Sequence, residues 1–464
     1  MSSNRKHSYT MKRKVLLSLL IALATCTSFG QAITKEQKAE VLTAVGEILA
    51  KRAFVAGTDF GKWPAFLEKK KEEIDKAVDE PSFVLAVNSA IREFGSSHIA
   101  LLSPASATQR ETASVVGIGI GTRREEGGLR VMRVFEGGGA KTAGIVPGDL
   151  ISLVDGKKFE STSQIVGTEG TDVTVTVTRQ DKSNKDFKIT RKRYSTKIPE
   201  TITWIDADTA KVEIPSFEPA NYDLKNVDKI MDEAKKAKNL ILDLRTNGGG
   251  LVFNMDHLMT HFLPAGTPYG TFIDRRVADR FATETKGDAK DVVAVAKWFN
   301  NPSRVRASDK TSYKGHVVVL VSGATGSAAE IVAAALKDNV DAIPIGTKSA
   351  GAVLASLFEK LPGEFRLQYP VREFVTSGMV RLEGTGVDAF MTSSLPEPTG
   401  ADPAIEKAKA MFRLEAKLDE MAKKGGLDKS LVSAGNPDLP YAGQMLDAIQ
   451  RIFGAIFQAK TVIG

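Results

Sequence analysis

The stretch that decides the fold is His316-Val-Val-Val-Leu-Val-Ser-Gly-Ala-Thr-Gly-Ser327-Ala-Ala-Glu330-Ile-Val-Ala-Ala-Ala-Leu336. Its apolar first part predicts a buried β-strand, its glycines predict a tight turn, and its alanine-rich end predicts a helix that begins at Ser327. Such a strand-turn-helix exposes one hydroxyl beside free backbone N–H groups and the positive end of the helix dipole. An acyl-transfer nucleophile needs this geometry, because its oxyanion must meet donors that are already in place.

A second interpretation of the same residues is structural. Ser327-Ala-Ala-Glu330 also fits a capping box, in which the serine and the glutamate only satisfy the start of the helix. The segment alone therefore leaves a nucleophile and a helix cap as alternatives, and the rest of the chain has to decide between them.

Length and composition indicate an exported globular protein. A chain of 464 residues is too long to fold around one compact core, so two or three domains are expected. The formal net charge of +7 comes mainly from basic residues among the first fourteen positions. The apolar run Val15–Ala24 follows them, and the two features together predict a signal peptide over residues 1–32. Without that leader, 58 basic residues face 56 acidic ones, so no nucleic-acid partner is expected.

Cysteine usage limits the chemistry further. Cys26 is the single cysteine and lies in the predicted leader, so the mature chain is expected to have no disulfide, thiol nucleophile or cysteine metal site. Leu23–Cys26 loosely resembles a lipoprotein processing box, although Thr25 fits it poorly. The sequence predicts a periplasmic or secreted protein without a membrane span in the mature chain, with a lipid anchor at Cys26 as the alternative.

The periodicity of apolar residues changes along the chain and predicts an α+β multidomain protein. Helical patterns fill residues 33–111, short strands with glycine turns fill 112–196, strands alternate with helices as parallel βαβ units over 197–400, and 401–464 is a helical tail. We expect that tail to be the segment through which a homo-oligomer would assemble.

The second region resembles a PDZ domain. Val116-Gly117-Ile118-Gly119-Ile120 has the form of its carboxylate-binding loop, and Lys141–Gly156 matches its helix-turn-strand segment. The resemblance implies that the domain binds a polypeptide end as an added strand, with the terminal carboxylate on Gly117, Ile118, Gly119 and Ile120. The alternative is that these glycines only form a hairpin turn.

Residues 35–410 resemble the tail-specific (carboxyl-terminal processing) and tricorn core serine proteases. The segment Leu242-Asp-Leu-Arg-Thr-Asn-Gly248-Gly249-Gly250 follows their strand and glycine turn. The resemblance implies a Clp/crotonase-like α/β core and an oxyanion hole formed by the glycine turn (Gly248 and Gly249) and by Ala328. Asp243 and Arg245 are expected to brace the turn.

The base that would serve Ser327 separates the two branches of this resemblance. Tail-specific proteases use a lysine in a segment of the form Gly-Glu-Lys-Thr-Phe-Gly-Lys-Gly, whereas this chain reads Gly346-Thr-Lys-Ser-Ala-Gly-Ala352-Val353, with alanine in the lysine position and Lys348 out of register. The tricorn-like branch uses a histidine directly after a serine, and a glutamate downstream of the nucleophile. Ser97, His98 and Glu383 fit that pattern.

The chemistry of imidazole agrees with this assignment. With an ordinary pKa near 6.5, a neutral His98 can take the proton of Ser327 and return it to the leaving amine. Its second nitrogen needs an acceptor that fixes the tautomer, and the resemblance gives that role to Ser97 and Glu383. The alternative is that the Glu383 side chain faces the substrate.

The other histidines suggest no further site in the sequence. His7 lies in the leader, and His316 starts the strand before Ser327, where packing or capping explains it. His257 and His261 are four residues apart on a predicted helix, but no zinc signature accompanies them, so neither a metal nor an organic cofactor is expected.

Three functions therefore compete. The leading hypothesis is an exported serine endopeptidase whose PDZ module recognises or gates polypeptide substrates. The second is an inactive protein of the same fold that binds peptides or apolar ligands. The third and weakest is a structural envelope protein that assembles through residues 402–464.

Overall fold

The N-terminal part of the protein is helical, as its periodicity predicts. The computed structural model describes residues 32–159, 164–398 and 400–424; residues 1–31, with most of the predicted signal peptide and Cys26, lie outside them. Asp79 caps one helix by accepting from the Ser82 N–H, and a proline in its first turn favours the start. The helices are α1 (Lys35–Arg52), α2 (Trp63–Lys69), α3 (Lys71–Lys76), α4 (Glu80–Ile91) and α5 (Pro104–Thr112), with 3₁₀ turns at Phe60–Lys62 and Arg92–Phe94.

The glycine-rich region that follows forms two antiparallel sheets. In the strand Asp172–Thr178 the valines are buried and the threonines face outward, which is the alternation of a half-buried strand. One sheet has the order β3-β4-β5-β7-β8 with β6 on β5, and the other pairs β2 with β9. The elements are β2 (Ser114–Gly117), β3 (Ile120–Glu125), β4 (Gly128–Val134), α6 (Gly139–Ala143), β5 (Leu150–Val154), β6 (Lys157–Lys158), β7 (Asp172–Thr178), β8 (Asn184–Thr190) and β9 (Lys192–Ser195).

The core of the second half is a mostly parallel sheet, which confirms the predicted βαβ units. Its order is β10-β11-β12-β15-β16-β19, and β10 is its antiparallel member. Its elements are β10 (Thr201–Trp204), β11 (Thr209–Glu213), α7 (Leu224–Ala234), β12 (Asn239–Asp243), α8 (Val252–Met259), β15 (His316–Val321), α11 (Ala328–Val340), β16 (Ile343–Gly346) and β19 (Met391–Thr392).

Both faces of this sheet are covered by helices. Val317, Val319 and Val321 of β15 pack into the cluster that contains α7, α8 and α11, whereas Val318 and Leu320 point to the opposite cluster. That opposite face is covered by α12 (Pro403–Lys424) of the predicted tail. Burial on both faces explains why β15 reads as a continuous apolar run. The predicted oligomer contact through the tail stays a prediction, and residues 425–464 lie outside the described part.

A second sheet in the core is antiparallel, which differs from the expectation that parallel units continue throughout 197–400. Long strand β18 pairs with β1, β13 and β17, and β14 pairs with β13. Because β1 comes from the N-terminal part, this pairing holds the segment around His98 against the core. The elements are β1 (Ala100–Leu102), β13 (Pro268–Asp274), α9 (Arg275–Thr285), α10 (Val292–Phe299), β14 (Ser303–Arg304), β17 (Ala355–Lys360) and β18 (Arg366–Thr376), with a 3₁₀ turn at Pro362–Glu364. Among the described helices, none combines the length and the apolar character needed to cross a membrane.

Candidate active site

The candidate site lies where two neighbouring parallel strands end. β12 and β15 pair in register, with Asp243 opposite Leu320, so the turns that follow them meet at one edge of the sheet. The turns are joined directly: the Gly326 N–H donates to the Asn247 carbonyl at 3.0 Å, and the Thr325 hydroxyl donates to the Leu244 carbonyl at 2.8 Å. The glycine turn and the Ser327 turn therefore form one rigid unit.

Ser327 occupies a strained position at the start of α11. Its φ of 54° is positive, a backbone conformation that residues other than glycine rarely adopt. Its backbone N–H is shared between the Ala352 carbonyl at 2.9 Å and Glu330 Oε2 at 3.0 Å. The Ser327 hydroxyl lies 3.1 Å from His98 Nε2. Glu330 thus helps to start the helix, as in a capping box, while the serine hydroxyl faces a histidine.

A continuous chain of polar contacts runs away from that histidine. His98 Nδ1 lies 2.7 Å from Ser97 Oγ, and the Ser97 hydroxyl donates to Glu383 Oε2 at 2.8 Å. The carboxylate of Glu383 also accepts the Ser97 N–H at 3.0 Å and the Val353 N–H at 2.7 Å. The structure therefore brings Ser327, His98, Ser97 and Glu383 together, in that order.

The direction of these hydrogen bonds fixes the state of the imidazole. A hydroxyl has one proton, and Ser97 gives it to the Glu383 carboxylate, so Ser97 Oγ must accept from His98 Nδ1–H. The lone pair of neutral His98 is then on Nε2, facing the Ser327 hydroxyl. A proton can move from Ser327 to His98 without any rearrangement of the chain.

The electrostatic surroundings keep that imidazole neutral. Burial lowers the pKa of His98 below its ordinary value; the charge of Glu383 opposes this shift, and the charge of Arg110 adds to it. At neutral pH His98 is therefore in the form that accepts a proton.

Backbone donors lie next to Ser327, although one of them differs from the prediction. The N–H groups of Gly248 and Ala328 have no hydrogen-bond acceptor within residues 32–159, 164–398 and 400–424, and both residues line the cleft. The Gly249 N–H instead donates to Asn247 Oδ1 at 2.8 Å. The prediction that Gly249 is an oxyanion donor is therefore wrong, because its backbone N–H is already hydrogen-bonded to Asn247.

The role of Gly249 is close packing. Its φ of 98° favours glycine, and a Cβ built there would lie 2.6 Å from the Ser327 Cβ. A side chain at this position would push Ser327 away from His98.

Glu330 does more than the capping-box spacing indicates. Its carboxylate is fully buried and accepts from Ser349 Oγ at 2.5 Å, the Gly351 N–H at 2.8 Å and the Ala352 N–H at 3.0 Å, in addition to the Ser327 N–H. Burial raises the pKa of Glu330, and these hydrogen bonds oppose that shift. The sequence spacing could identify the contact with Ser327, whereas the contacts with residues 349–352 depend on the fold.

Two expectations about charged residues near the turns agree with the structure. The Arg245 guanidinium pairs with Asp243 and with Asp402, at 2.6 Å each, and so braces the glycine turn. Lys348 forms an exposed ion pair with Asp388 at 3.1 Å. The Ala352 carbonyl accepts the Ser327 N–H at 2.9 Å, so the residue in the predicted lysine position contacts Ser327 through its backbone.

The profiles of two known families match parts of this chain. The sequence profile of Peptidase family S41 matches residues 208–390, and that of the PDZ domain matches residues 116–190. The chain is a serine peptidase with an S41 domain and a PDZ domain. The residues matched by the first profile include the glycine turn, Ser327 and Glu383; His98 lies outside them.

Relatives of this peptidase are named as proteases. It is 27% identical over 318 residues to a carboxy-terminal-processing protease of Bartonella bacilliformis, covering 65% of this chain and 68% of the relative. It is 25% identical over 403 residues to the carboxy-terminal processing protease CtpA of Bacillus subtilis, covering 83% and 79%. These names give no support to the alternative of an inactive binding protein.

Solved structures share the fold. Mature CPAF aligns over 85% of the peptidase and 99% of its own chain, with a TM-score of 0.52 and 12% identity. A putative S41 protease of Bacteroides fragilis aligns over 81% and 97%, with a TM-score of 0.51 and 15% identity. At these identities the likeness concerns the fold alone.

The peptidase has an open cleft in front of Ser327. It encloses about 740 Å³, and its walls are largely apolar. At its rim Arg110 pairs with Glu218 at 2.5 Å and lies 4.4 Å from the centre of the Phe358 ring. The sequence alone did not indicate the apolar walls of the cleft, because their residues come from distant segments of the chain. They are Leu102, Ala107, Phe272, Ile331, Val353, Leu354 and Phe358.

The predicted carboxylate-binding loop of the PDZ domain precedes an edge strand. β3 is at the end of its sheet and pairs with β4. Ile118 is buried and Gly119 has a φ of 86°, with the Ile118 and Gly119 carbonyls accepting from Ala140 and Phe135. The loop is thus held by its carbonyl groups. Burial raises the pKa of the nearby Tyr194 phenol, and the Gly119 N–H opposes this shift.

Proposed function

We propose that this peptidase cleaves polypeptides through an acyl-enzyme on Ser327, with His98 as general base and then general acid. The observation that carries the proposal is the unbroken series of contacts Ser327–His98–Ser97–Glu383, with distances of 3.1, 2.7 and 2.8 Å. A Ser-His-acid set of this kind corresponds to the tricorn-like branch of the resemblance, extended by a serine between the histidine and the carboxylate.

The first half of the reaction forms the acyl-enzyme. Ser327 Oγ attacks the carbonyl carbon of the scissile bond while its proton passes to His98 Nε2. The N–H groups of Gly248 and Ala328 stabilise the negative charge that develops on the carbonyl oxygen. When the C–N bond breaks, His98 gives its proton to the leaving amine, and the acyl group stays on Ser327.

The second half releases the product and restores the enzyme. His98 takes a proton from water as the water oxygen attacks the ester carbon, and it returns that proton to Ser327 Oγ when the ester bond breaks. In both halves Ser97 and Glu383 are positioning residues: the hydroxyl holds the imidazole tautomer, and the carboxylate stabilises the charge of the imidazolium.

The direct test is Ser327→Ala. The variant should hydrolyse an unfolded polypeptide at least about 10⁴-fold more slowly and should lose labelling by a fluorophosphonate probe, with an unchanged circular dichroism spectrum. Ser356→Ala is the matched control, because Ser356 lines the same cleft without contacting His98. Wild-type activity in Ser327→Ala would overturn the nucleophile assignment.

We also propose that the PDZ domain binds the carboxyl end of a polypeptide at Gly117–Ile120. Within the described residues β3 pairs with β4 alone, which supports this proposal because an edge strand can accept one added strand. Full-length Ser327→Ala should bind a peptide with a free carboxyl end at least about tenfold more tightly than the same peptide amidated. Equal binding of both peptides would contradict carboxylate recognition.

Export is a separate proposal that rests on the basic start and the apolar run Val15–Ala24. Mass spectrometry of the protein from its native host should find a chain that begins after residue 32 and lacks Cys26. A chain that begins with a lipid-modified Cys26 would support the lipoprotein alternative, and an intact N-terminus would contradict export.

A further inference from the structure

Two helices of the core bring a second set of chemically active side chains together. Asp228 of α7 lies between His257 of α8 and His261, which follows α8; we call these three residues the Asp228 cluster. Asp228 Oδ1 is 3.1 Å from His257 Nε2 and 3.0 Å from His261 Nε2. All three atoms lie within 4.8 Å of one another. The two histidines are four residues apart, one near the end of α8 and one just after it, and the carboxylate comes from the helix packed beside them.

The other ring nitrogen of His257 is held by a neighbouring side chain. The Tyr222 hydroxyl lies 2.9 Å from His257 Nδ1, the nitrogen that faces away from the cluster. A partner on that second nitrogen is the arrangement that orients metal-binding histidines.

His261 is the most buried member. Its side chain is 0% exposed, and its Nδ1 has no hydrogen-bond partner in the described residues. The contact of Nε2 with Asp228 is therefore the polar interaction that offsets the burial of this ring. Binding of a metal at Nε2 would replace this hydrogen bond and would release the Nε2 proton.

We propose that Asp228, His257 and His261 bind one divalent transition-metal ion, with zinc strongly preferred over magnesium. Two imidazoles and one carboxylate suit zinc, whereas magnesium favours oxygen ligands in an octahedron. The separations of 3.0 and 3.1 Å need only a small expansion to reach the roughly 3.3 Å expected between ligands about 2.0 Å from a tetrahedral ion. The ion would join α7 to α8, the helix that follows the glycine turn.

One neighbouring cation competes with the metal. Lys310 Nζ lies 2.9 Å from Asp228 Oδ2, on the carboxylate oxygen that faces away from the histidines. Its positive charge repels a bound cation and partly neutralises Asp228. Lys310→Met should consequently tighten zinc binding by about tenfold, a result that a cluster with a purely structural role would not give.

The experiment is isothermal titration calorimetry of chelator-treated full-length protein with zinc chloride, alongside magnesium chloride. Wild type should bind one zinc per chain and no magnesium, and zinc at a hundredfold excess over Kd should raise Tm by about 2 °C or more. Asp228→Asn and His257→Ala should each lose at least about tenfold in zinc affinity, and Tyr222→Phe should lose less.

His98→Ala is the matched control, because it removes the histidine of the cleft and should still bind one zinc with wild-type affinity. Should His257→Ala fail to fold, Asp228→Asn keeps the shape of the cluster and decides the matter. The proposal is overturned if wild type binds no zinc, if Asp228→Asn binds it as well as wild type, or if His98→Ala abolishes binding.

Discussion

Glu330 and Glu383 are two carboxylates on either side of one short segment, and they differ in what they hold. Glu330 accepts from Gly351 and Ala352, and Glu383 accepts from the next residue, Val353. Beyond this segment Glu330 contacts the backbone of Ser327, whereas Glu383 contacts the hydroxyl of Ser97 that bonds to His98. The first carboxylate fixes where the reacting oxygen is; the second is linked to the group that moves its proton.

This difference teaches that similar hydrogen-bond sets can have separate consequences. Glu330 accepts from three backbone N–H groups and the Ser349 hydroxyl, and none of these four donor groups itself contacts the His98 ring, so its loss should appear mainly in stability. The Glu383 charge acts on His98 and opposes the lowering of its pKa by burial. Its loss should therefore appear mainly in the rate and its dependence on pH.

The largest effect is expected for His98, the residue through which Glu383 would influence the rate. His98→Ala should lower kcat/KM by about 10⁴-fold or more, because Ser327 then has no base. Hydrolysis of an unfolded polypeptide measures this loss. His316→Gln is the matched control and should stay within about twofold of wild type. A His98→Ala variant with wild-type kcat/KM would remove the distinction between the two carboxylates.

Glu383→Gln should have the next largest effect. It should lower kcat by about 10³-fold, because the imidazolium loses the charge that stabilises it. Since the acid limb of kcat/KM follows the pKa of His98, it should lie below pH 6.5 in wild type and move to still lower pH in the variant. A pH–rate profile measures both effects.

Ser97 supplies the control for that experiment. Ser97→Ala breaks the path from Glu383 to His98 and should also lower kcat, whereas Ser97→Thr keeps the hydroxyl and should restore most of it. If the limb stayed in place in Glu383→Gln, the carboxylate would have no direct influence on the pKa of His98, and movement to higher pH would contradict the assigned sign.

Glu330→Gln should instead reduce the free energy of unfolding, by about 2–3 kcal/mol. Each carboxylate oxygen accepts two hydrogen bonds, so the amide nitrogen would face two donors whichever way it turned. Urea unfolding measures the loss. Glu364→Gln removes an exposed carboxylate paired with Lys360 and should change the free energy by less than about 0.5 kcal/mol. Equal stability of both variants would show that the Glu330 contacts are dispensable.

The smallest effect concerns Arg110, whose charge acts on His98 in the sense opposite to that of Glu383. Arg110→Met should move the acid limb of kcat/KM to higher pH, by less than about one unit, because a positive charge near the imidazole is lost. Arg366→Met removes another arginine of the cleft, paired with Glu111, and should leave the limb in place. Movement to lower pH in Arg110→Met would contradict the assigned sign.

The sequence by itself determined the local units of this protein. The apolar run of β15, its glycine turn and the alanine-rich helix fixed the position of Ser327, because strand, turn and helix signals within twenty residues depend on near neighbours. Alanine at position 352 argued against a lysine base, and the serine–histidine pair before the PDZ region indicated the alternative. Short strands with glycine turns over 112–196, and strands alternating with helices over 197–400, predicted the sheets.

Tertiary structure alone decided how these units meet. The pairing of β1 with β18 holds the His98 segment against the core, and 229 residues separate His98 from Ser327. The same packing uses the Gly249 N–H for Asn247, adds three donors to Glu330 and places Asp228 between two histidines that sequence reasoning set aside. Periodicity encodes which face of an element is buried, but contacts between distant segments depend on the packing of whole sheets and helices, which no local pattern contains.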